Sequence, residues 1–577
     1  MKDSKYRKLV NGLFEKAKQN DFRLGFAIFC IVMLVVLSPM ITRMLPIGHD
    51  WKFQLLRLES LKAGLQSGQF PVRMDPVFFN GFGYASSLFY PDFLLYIPAV
   101  LQLLGVSLVS SYKIFIILVV AVCFAATYYC AKGISKSRYV ALISAIVFTL
   151  SQYFIQNIYT RFALGEVSAF MFMPFVVYGL YNFLFEEFEK PWLLVVGFTG
   201  LLFSHMISFT IACMLCAVVS LFRIKHLIRN GYKLIRLLVA VLLVAGLSCV
   251  FWLPLLEQML SGRILITNGR TMQSMSVAIR DMIANSSIIK NESCSFGLPL
   301  LLLCLMRLIL FKTPETKTEI KKSDRFFWIG AALLFLASDL FPWKLMPSFF
   351  NMIQFPWRFY AMASLFLALA IGMMTQTLFY SKNKYVALVV ILALMSFGAI
   401  TTWTNTADYE DVPANYYETI EHTYPGNGYE YLPKELDQDT IYAVTNVQRN
   451  VVADNGSNVP FEQNGVRITF RYDPTSGVQY YDVPLLYYVG YGAMFADEQG
   501  VQTPLRVEEH GNMVRVYSDG VSQQGNIVVD YSGTTLQHVS DFVTLSFCLL
   551  LLALGAVTLM KKKRTIPLLS YPPRRQF

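Results

Sequence analysis

Charged residues are scarce in this chain. Asp, Glu, Lys and Arg make up only 15% of its 577 residues, whereas about 25% is usual in soluble domains, and its mean hydropathy is +0.46. This composition excludes a soluble globular protein and a disordered chain. Repeated apolar runs long enough to cross a bilayer indicate a polytopic membrane protein instead.

Cysteine and histidine are also sparse. Eight of the nine cysteines lie in apolar runs and none lies in residues 403–540, so the sequence contains no disulfide framework. Cys213 and Cys216 have the spacing of a CxxC motif, but their apolar surroundings favour small core residues. The six histidines show no spacing typical of a zinc site.

The net charge of +11 combines two opposite contributions. Residues 403–540 carry six Lys or Arg and nineteen Asp or Glu, and they contain no run of bilayer length. Positive charge elsewhere is concentrated in short loops, which mark the cytoplasmic side of a membrane protein: residues 2–23, 132–138, 223–236, 312–325, 382–384 and 561–575. Basic residues dispersed over one membrane face argue against a nucleic-acid partner.

Twelve apolar runs predict twelve transmembrane crossings: residues 24–43, 111–131, 139–156, 166–184, 191–204, 207–222, 234–253, 296–311, 326–341, 357–379, 385–402 and 541–560. If both termini are cytoplasmic, every basic loop lies inside. We therefore expect a transmembrane domain over 1–402 with a first external loop at 44–110. An extracytoplasmic β-rich domain would follow over 403–540, then a final helix and basic tail over 541–577.

Two apolar segments are not expected to cross the membrane as single spans. If residues 88–105 crossed, every later basic loop would change sides, so we interpret this segment as an interfacial or re-entrant helix broken by Pro91 and Pro98. Residues 191–222 have cytoplasmic flanks at both ends and therefore predict a short hairpin with His205 near its outer apex.

The acidic region predicts β structure. Residues 460–532 alternate apolar and polar side chains in short runs, and Asp473-Pro474, Ser476-Gly477 and Asp519-Gly520 separate these runs. Alternation punctuated by turn residues is typical of a small antiparallel β-sandwich.

Polar residues at the outer membrane boundary are few enough to name. They are Asp50, Arg57, Arg161, Glu166, His205, Glu257 and Arg358. A carboxylate at this boundary can deprotonate an acceptor hydroxyl, and a neighbouring arginine can bind phosphate. Simpler roles stay open: an N-cap for Asp50, an interfacial anchor pair for Arg161 and Glu166, a packing histidine, and a snorkelling arginine.

Several short motifs occur in this chain in the same order as in a known family of membrane proteins. The chain resembles the YfhO-like bacterial membrane proteins, also described as 6-pyruvoyl-tetrahydropterin-synthase-related membrane proteins, which look like GT-C-fold glycosyltransferases. The matching segments are Gly48-His49-Asp50…Arg57, Gly68-Gln-Phe-Pro71, Gly81-Phe-Gly-Tyr84…Phe89-Tyr-Pro91, Tyr159-Thr-Arg161…Glu166, Ser204-His205, Phe251-Trp-Leu-Pro254…Glu257, Gln354-Phe-Pro-Trp-Arg358, Tyr431-Leu-Pro433 and Val483-Pro-Leu…Gly490-Tyr.

The resemblance implies a GT-C-like fold for the transmembrane domain over 1–402, located in the bacterial cytoplasmic membrane. It also implies a sugar donor linked to polyprenyl phosphate and chemistry outside that membrane. It implies inverting transfer to a cell-envelope glycan, teichoic acid or glycolipid, with Asp50 as general base and Glu166 as a second catalytic residue. The substrate-binding residues it implies are His49, Arg57, Arg161, His205, Glu257 and Arg358. Some GT-C enzymes bind a divalent metal; Asp50, Glu166 and His205 are the ligands available here, and we expect no required metal.

Two other functions stay open on the sequence. A lipid or polysaccharide transporter would carry polar residues through the bilayer midplane and commonly internal repeats, neither of which is evident. A non-catalytic envelope scaffold would use its β-domain to bind glycan or protein, and it predicts that Asp50, Arg57 and Arg161 do not converge on one cavity. The family label also mentions pterin synthesis, which the scattered histidines do not support.

Overall fold

A computed structural model describes most of the chain: residues 21–42, 44–264, 271–287, 294–311, 313–314, 316–411, 430–436, 440–441 and 449–564. The predicted cytoplasmic N-terminal segment and the basic tail after residue 564 lie outside the described residues. The same holds for much of the tyrosine-rich stretch between residues 412 and 448.

Helices make up the first two thirds of the fold and its C-terminal end. They are α1 (Asp21–Leu37), α2 (Trp51–Gln66), α3 (Ser86–Phe89), α4 (Tyr96–Leu103), α5 (Leu108–Ser135), α6 (Arg138–Thr149), α7 (Gln152–Tyr159), α8 (Leu164–Ala169), α9 (Met173–Phe185), α10 (Trp192–Leu202), α11 (Met206–Leu221), α12 (Ile224–Ile228), α13 (Gly231–Leu247), α14 (Cys249–Leu260), α15 (Ile279–Ser286), α16 (Leu298–Cys304), α17 (Lys317–Ala337), α18 (Phe359–Leu378), α19 (Asn383–Thr406) and α20 (Thr535–Arg564).

Strands lie mainly between α19 and α20. They are β1 (Met44–Ile47), β2 (Asp408–Asp411), β3 (Val451–Ala453), β4 (Asn458–Val459), β5 (Phe461–Asn464), β6 (Arg467–Tyr472), β7 (Tyr480–Leu486), β8 (Tyr491–Asp497), β9 (Gln502–Leu505), β10 (Val507–His510), β11 (Met513–Tyr517) and β12 (Gly525–Tyr531).

Within the described ranges, six helices are long and apolar enough to cross a bilayer, and the bent pairs α6–α7 and α13–α14 raise this number to eight. The twelve crossings expected from the sequence are therefore not confirmed. The six spans are Arg23–Ile41, Leu108–Ser135, Leu164–Phe185, Pro356–Leu378, Asn383–Asn405 and Thr535–Thr558.

Short helices account for the difference. Helix α10 has 11 residues and α11 has 16, which at about 1.5 Å per residue gives lengths below the hydrocarbon thickness of about 30 Å. The first half of α17 contains a run of charged residues, so only its C-terminal part is apolar. Hydropathy of a segment alone does not reveal where the helix ends.

The exits of α1 and α19 lie on the same side of the helical bundle. Strand β1, which follows α1, pairs antiparallel with β2, which follows α19, over Met44–Ile47 and Asp408–Asp411. Paired strands must share one membrane face, because open backbone within hydrocarbon would leave polar groups unsatisfied. The first loop and the start of the acidic region are therefore on a common face.

The apolar segment at 88–105 is broken and too short to span. It consists of α3, the 3-10 turn Phe93–Leu95 and the eight-residue α4. The break falls at Tyr90 and Pro91, where the helical conformation ends. Pro98 does not break a helix as expected, because it sits in the first turn of α4, where a missing N–H costs no hydrogen bond.

The C-terminal β region consists of two five-stranded antiparallel sheets. Their strand orders are β10-β11-β7-β3-β4 and β5-β6-β12-β8-β9. Alternate residues of β6 and β12 are buried, and the ring of Phe470 lies 4.9 Å from that of Tyr481 across the two sheets. The alternation seen in the sequence thus corresponds to one buried face on each sheet.

This β region packs directly on the first loop. Arg449 donates to the carbonyl of Gly81 at 3.0 Å, and the backbone N–H of Leu486 donates to the carbonyl of Phe82 at 2.9 Å. Gly81 has a φ of +91°, and a Cβ there would lie 2.6 Å from the Arg449 guanidinium. The glycine-rich turn is therefore required by its fit against the β region.

Candidate active site

Asp50 stands at the N-terminus of α2, where two loops meet. The backbone N–H groups of His49 and Asp50 each donate at 3.0 Å, to the carbonyls of Thr160 and Arg161. At Gly48 a Cβ would lie 2.7–2.8 Å from backbone atoms of residues 160–162. Only glycine allows this close approach, which holds Asp50 beside the Arg161 loop.

The Asp50 carboxylate is half-buried and does not cap its helix. Within the described part of the chain it accepts no hydrogen bond, although Asp is a common N-cap residue. Burial raises its pKa, while the positive charges of Arg161, His49 and Arg358 oppose this shift. His49 itself is exposed to solvent.

Arg161 and Glu166 form a buried ion pair. One guanidinium nitrogen of Arg161 donates to Glu166 at 2.7 Å and to Asn157 at 2.5 Å. The Tyr153 hydroxyl donates to the other Glu166 oxygen at 2.6 Å. Both oxygens of the Glu166 carboxylate thus accept a hydrogen bond. Arg161 and Glu166 are five residues apart, and the turn between α7 and α8 brings their side chains together.

Arg358 approaches the same carboxylate from another helix. Its Nε lies 3.9 Å from Glu166, and its terminal nitrogen donates to the Ile353 carbonyl at 2.6 Å and to the Gln354 side chain at 2.9 Å. Gln354, whose side chain accepts one of these bonds, has a left-handed backbone conformation with a φ of +65° in the turn before α18. Glu166 therefore lies between two arginines.

Arg57 is fully buried and binds backbone. Its guanidinium donates to the carbonyls of Tyr90 and Pro91 at 2.9 and 3.0 Å and to Gln54 at 3.2 Å. It also lies 4.3 Å from the centre of the Tyr90 ring. These contacts hold the backbone at the break after α3, whereas the sequence suggested that Arg57 binds the phosphate of a substrate.

His205 faces the same tyrosine. It lies at the apex of the α10–α11 hairpin, as predicted, with its Nδ1 2.8 Å from Ser208 Oγ and its ring 6.1 Å from that of Tyr90. A Cβ on Gly165 would clash with the Tyr90 hydroxyl and lie 2.7 Å from the Ser204 carbonyl. Tyr90 therefore joins the Arg57, His205 and Glu166 regions.

Glu257 contacts a different part of the fold. It accepts a hydrogen bond of 2.8 Å from Gln537 of α20. The next residue, Gln258, donates to the carbonyl of Val489. These bonds link α14 with α20 and the β region, so Glu257 has a structural contact where the sequence predicted substrate binding.

A cavity of about 350 Å³ lies on the other side of Tyr90 and Pro91. It is bordered by α3, α4, the hairpin apex and α20, and its walls are mainly apolar. Arg73 and Asp541 close one side with an ion pair of 2.6 Å. Asp92 also lines it, and burial raises the pKa of this carboxyl to about 7.

The side chains present do not favour a divalent metal. Of the available ligands Asp50, Glu166 and His205, Glu166 already pairs with Arg161 and accepts a hydrogen bond from Tyr153. Over the ranges that the structure describes, no three His, Cys, Asp or Glu side chains are grouped to hold a metal ion. The donor set does not fit a metal site.

Sequence reasoning missed several residues of this cluster. Tyr153 and Asn157 bind the ion pair, and Ser208 contacts the histidine. Tyr90 and Gln354 lie in motifs that the family resemblance uses, but nothing in their spacing assigns them partners. Tyr153 and Asn157 lie four residues apart on one face of α7, and Arg161 follows four residues later in the turn after the helix. This spacing was the available signal.

Comparison with known proteins identifies the family. Residues 88–406, more than half of the chain, match the family described as 6-pyruvoyl-tetrahydropterin synthase related domain, membrane protein. The chain belongs to this family. The resemblance inferred from the motifs is confirmed, and this family member is a membrane protein.

A relative and two solved structures are similar to this family member. An uncharacterized protein of Lactococcus lactis subsp. cremoris (strain MG1363) is 26% identical over 348 residues, 57% of this chain and 56% of the relative. The chain therefore spans about half the length of that relative. Arabinofuranosyltransferase AftD from mycobacteria matches 68% of this chain and 29% of its own at 13% identity and a TM-score of 0.42. The Archaeoglobus fulgidus oligosaccharyltransferase matches 66% of this chain and 56% of its own at 12% identity and a TM-score of 0.36.

Proposed function

We propose that this protein is a membrane glycosyltransferase. It moves a sugar from a polyprenyl-phosphate carrier to an extracytoplasmic acceptor of the cell envelope: a glycan, teichoic acid or glycolipid. The observation that carries the proposal is the contrast between two carboxylates at one site. Glu166 is buried with both oxygens paired, whereas Asp50 is half-buried with no hydrogen-bond partner among the described residues.

Asp50 acts as the general base. Its carboxylate takes the proton of the acceptor hydroxyl, and the acceptor oxygen attacks the anomeric carbon from the face opposite the phosphate. The bond between that carbon and the phosphate oxygen breaks, and its electron pair leaves on the polyprenyl phosphate. The raised pKa of Asp50 suits this role, because a stronger base accepts the proton more readily.

Arg358 and Arg161 stabilise the departing phosphate. These two guanidinium groups balance the carboxylates of Asp50 and Glu166, and once Asp50 has taken the acceptor's proton they exceed the remaining carboxylate by one positive charge. In a partly buried site, that excess favours an anion whose charge grows as the bond breaks. Arg358 is the better candidate of the two, because its contact to Glu166 is long, at 3.9 Å.

Glu166 and Arg57 are positioning residues in this mechanism. Glu166 holds both Arg161 and Arg358, so its charge orients the phosphate-binding groups and takes no proton itself. Arg57 fixes the backbone of Tyr90 and Pro91, which separates the cluster from the adjacent cavity. His49 is exposed beside Asp50 and is available to contact the sugar or acceptor, whereas His205 is buried and contacts Tyr90 and Ser208.

The cavity bordered by α4 and α20 accommodates the carrier lipid. Its walls are largely apolar, it reaches the side of a helix that crosses the bilayer, and it adjoins the boundary cluster at Pro91. A lipid-linked donor needs such an arrangement, because its phosphate must lie at the polar boundary while its chain stays in hydrocarbon.

Envelope analysis with an Asp50 variant tests the function. Envelope glycans, teichoic acids and glycolipids would be compared among cells without the gene and cells producing wild-type or Asp50→Asn protein. We expect a sugar substituent that is lost without the gene and not restored by Asp50→Asn, although that variant reaches the membrane at the wild-type level. Restoration by Asp50→Asn would contradict the base assignment.

Asp339→Asn is the matched control. Asp339 is an exposed carboxylate after α17, on the same face as Asp50 in the expected topology. Its amide variant should restore the substituent fully. An envelope of unchanged composition without the gene would favour a scaffold, and accumulation of a complete but untransported lipid-linked glycan would favour a transporter.

A further inference from the structure

An apolar groove lies at the end of the bundle opposite Asp50. The span Leu164–Phe185 carries Glu166 at its first turn and Phe185 at its last, so the two regions are about 30 Å apart. The groove has a volume of about 330 Å³ and is lined mainly by Val177, Leu180, Tyr181, Phe222, Ile329 and Phe366. The expected topology puts this end at the cytoplasmic leaflet.

Two arginines converge on one ring at the groove's rim. The guanidinium of Arg223 lies 4.9 Å from the centre of the Phe185 ring, and that of Arg325 lies 4.6 Å from it. The two side chains come from α17 and from the end of α11, about 100 residues apart in sequence. Arg223 also has a buried Nε that, among the described atoms, has no hydrogen-bond partner.

The two arginines of the groove have no carboxylate beside them in its described lining. None of the described residues that line it is acidic. Two nearby carboxylates have other partners: Glu186 pairs with Lys136 at 3.0 Å, and Asp324 pairs with Arg307 at 2.5 Å. A third, Glu319, is exposed on α17. Two like charges held beside one ring repel each other, so an anion between them would stabilise the arrangement.

We propose that this groove binds one anionic phospholipid of the cytoplasmic leaflet. The phosphate lies between Arg223 and Arg325, and one acyl chain fills the apolar groove. Arginine suits this site because its planar guanidinium can bind phosphate through two donors while its face stays on the Phe185 ring. Basic pockets between transmembrane helices bind lipid head groups in the same way.

The chemistry of the groove favours a lipid over a partner helix. Its apolar walls end at two arginines on one ring, and no acidic residue is found among the described residues of its lining. The acyl chain and the two cations together match the two ends of a phospholipid.

Lipid-dependent stability tests the proposal. The full chain in detergent would be titrated with phosphatidylglycerol or with phosphatidylcholine of the same acyl chains, and the midpoint of thermal unfolding followed. We expect phosphatidylglycerol to raise the wild-type midpoint and phosphatidylcholine not to. Arg223→Gln/Arg325→Gln should weaken the apparent affinity for phosphatidylglycerol about thirtyfold, for two cations lost.

Lys225→Gln/Arg229→Gln is the matched control. It removes two positive charges from exposed positions on the same basic segment, outside the groove lining, and should respond like wild type. Equal responses to the two lipids in wild type would overturn the proposal. An unchanged phosphatidylglycerol response in Arg223→Gln/Arg325→Gln, or an equal loss in the control, would also overturn it.

A groove-filling variant covers the case in which the arginine variant does not fold. Leu180→Trp keeps both arginines and occupies the space for the acyl chain. Native mass spectrometry should show one phosphatidylglycerol retained by wild type and none by Leu180→Trp. Retention by Leu180→Trp, or a bound protein segment in place of lipid, would contradict the assignment.

Discussion

The two boundary carboxylates should respond oppositely to loss of charge. Glu166 is 1% exposed and pairs with Arg161 at 2.7 Å, with Arg358 also 3.9 Å away. Glu166→Gln leaves two guanidinium groups buried without their counter-ion. Removing one partner of a buried ion pair costs about 3–5 kcal/mol, and we expect the lower end, because the amide oxygen still accepts one hydrogen bond.

Asp50→Asn should not destabilise the protein. The Asp50 carboxylate makes no cap bond, and burial raises its pKa. A carboxyl whose pKa is higher in the folded state contributes stability at low pH, and this contribution is lost as the pH rises from the unfolded value of about 3.9 through the raised folded value. At pH 7 the charge therefore disfavours folding, and the neutral amide removes that penalty.

Thermal unfolding of the full chain in detergent at pH 7 measures both effects. Because membrane proteins often unfold irreversibly, midpoints are compared at one scan rate. We expect Glu166→Gln to lower the midpoint clearly and Asp50→Asn to leave it unchanged or raise it slightly. A stable Glu166→Gln variant together with a strongly destabilised Asp50→Asn variant would refute the conclusion that Glu166 is the paired carboxylate and Asp50 the unpaired one.

Three further predictions concern transfer and packing. Arg358 lowers the pKa of Asp50, and the base must be deprotonated, so Arg358→Gln should move the acidic limb of the pH–rate profile to higher pH; an unmoved limb would argue against Asp50 as the base. Gly48→Ala should cost about 1–3 kcal/mol of stability, because its Cβ meets backbone at 2.7–2.8 Å; a wild-type unfolding midpoint would contradict this packing. Leu545→Trp, which fills the cavity near α20, should raise KM for the lipid-linked donor more than it lowers kcat, and equal KM values would exclude the lipid from that cavity.

Much of this fold follows from local sequence. The membrane-protein class, the broken segment near Pro91 and the β region all follow from hydropathy and alternation over short windows. These properties depend on a residue's neighbours in sequence. The number of crossings does not, because helix length depends on where a segment meets others, and the short α10 and α11 are apolar without being long.

The sequence by itself reduced the candidate polar residues to a few, because an apolar chain leaves few to choose from. Only the tertiary structure decided their partners. Arg57 binds carbonyls more than thirty residues away, and Glu257 pairs with Gln537, 280 residues along the chain. The Glu166 carboxylate is paired because separate segments bring Arg161 and Arg358 to it. The Asp50 carboxylate is not paired in this way, and the close backbone contact at Gly48 sets its position.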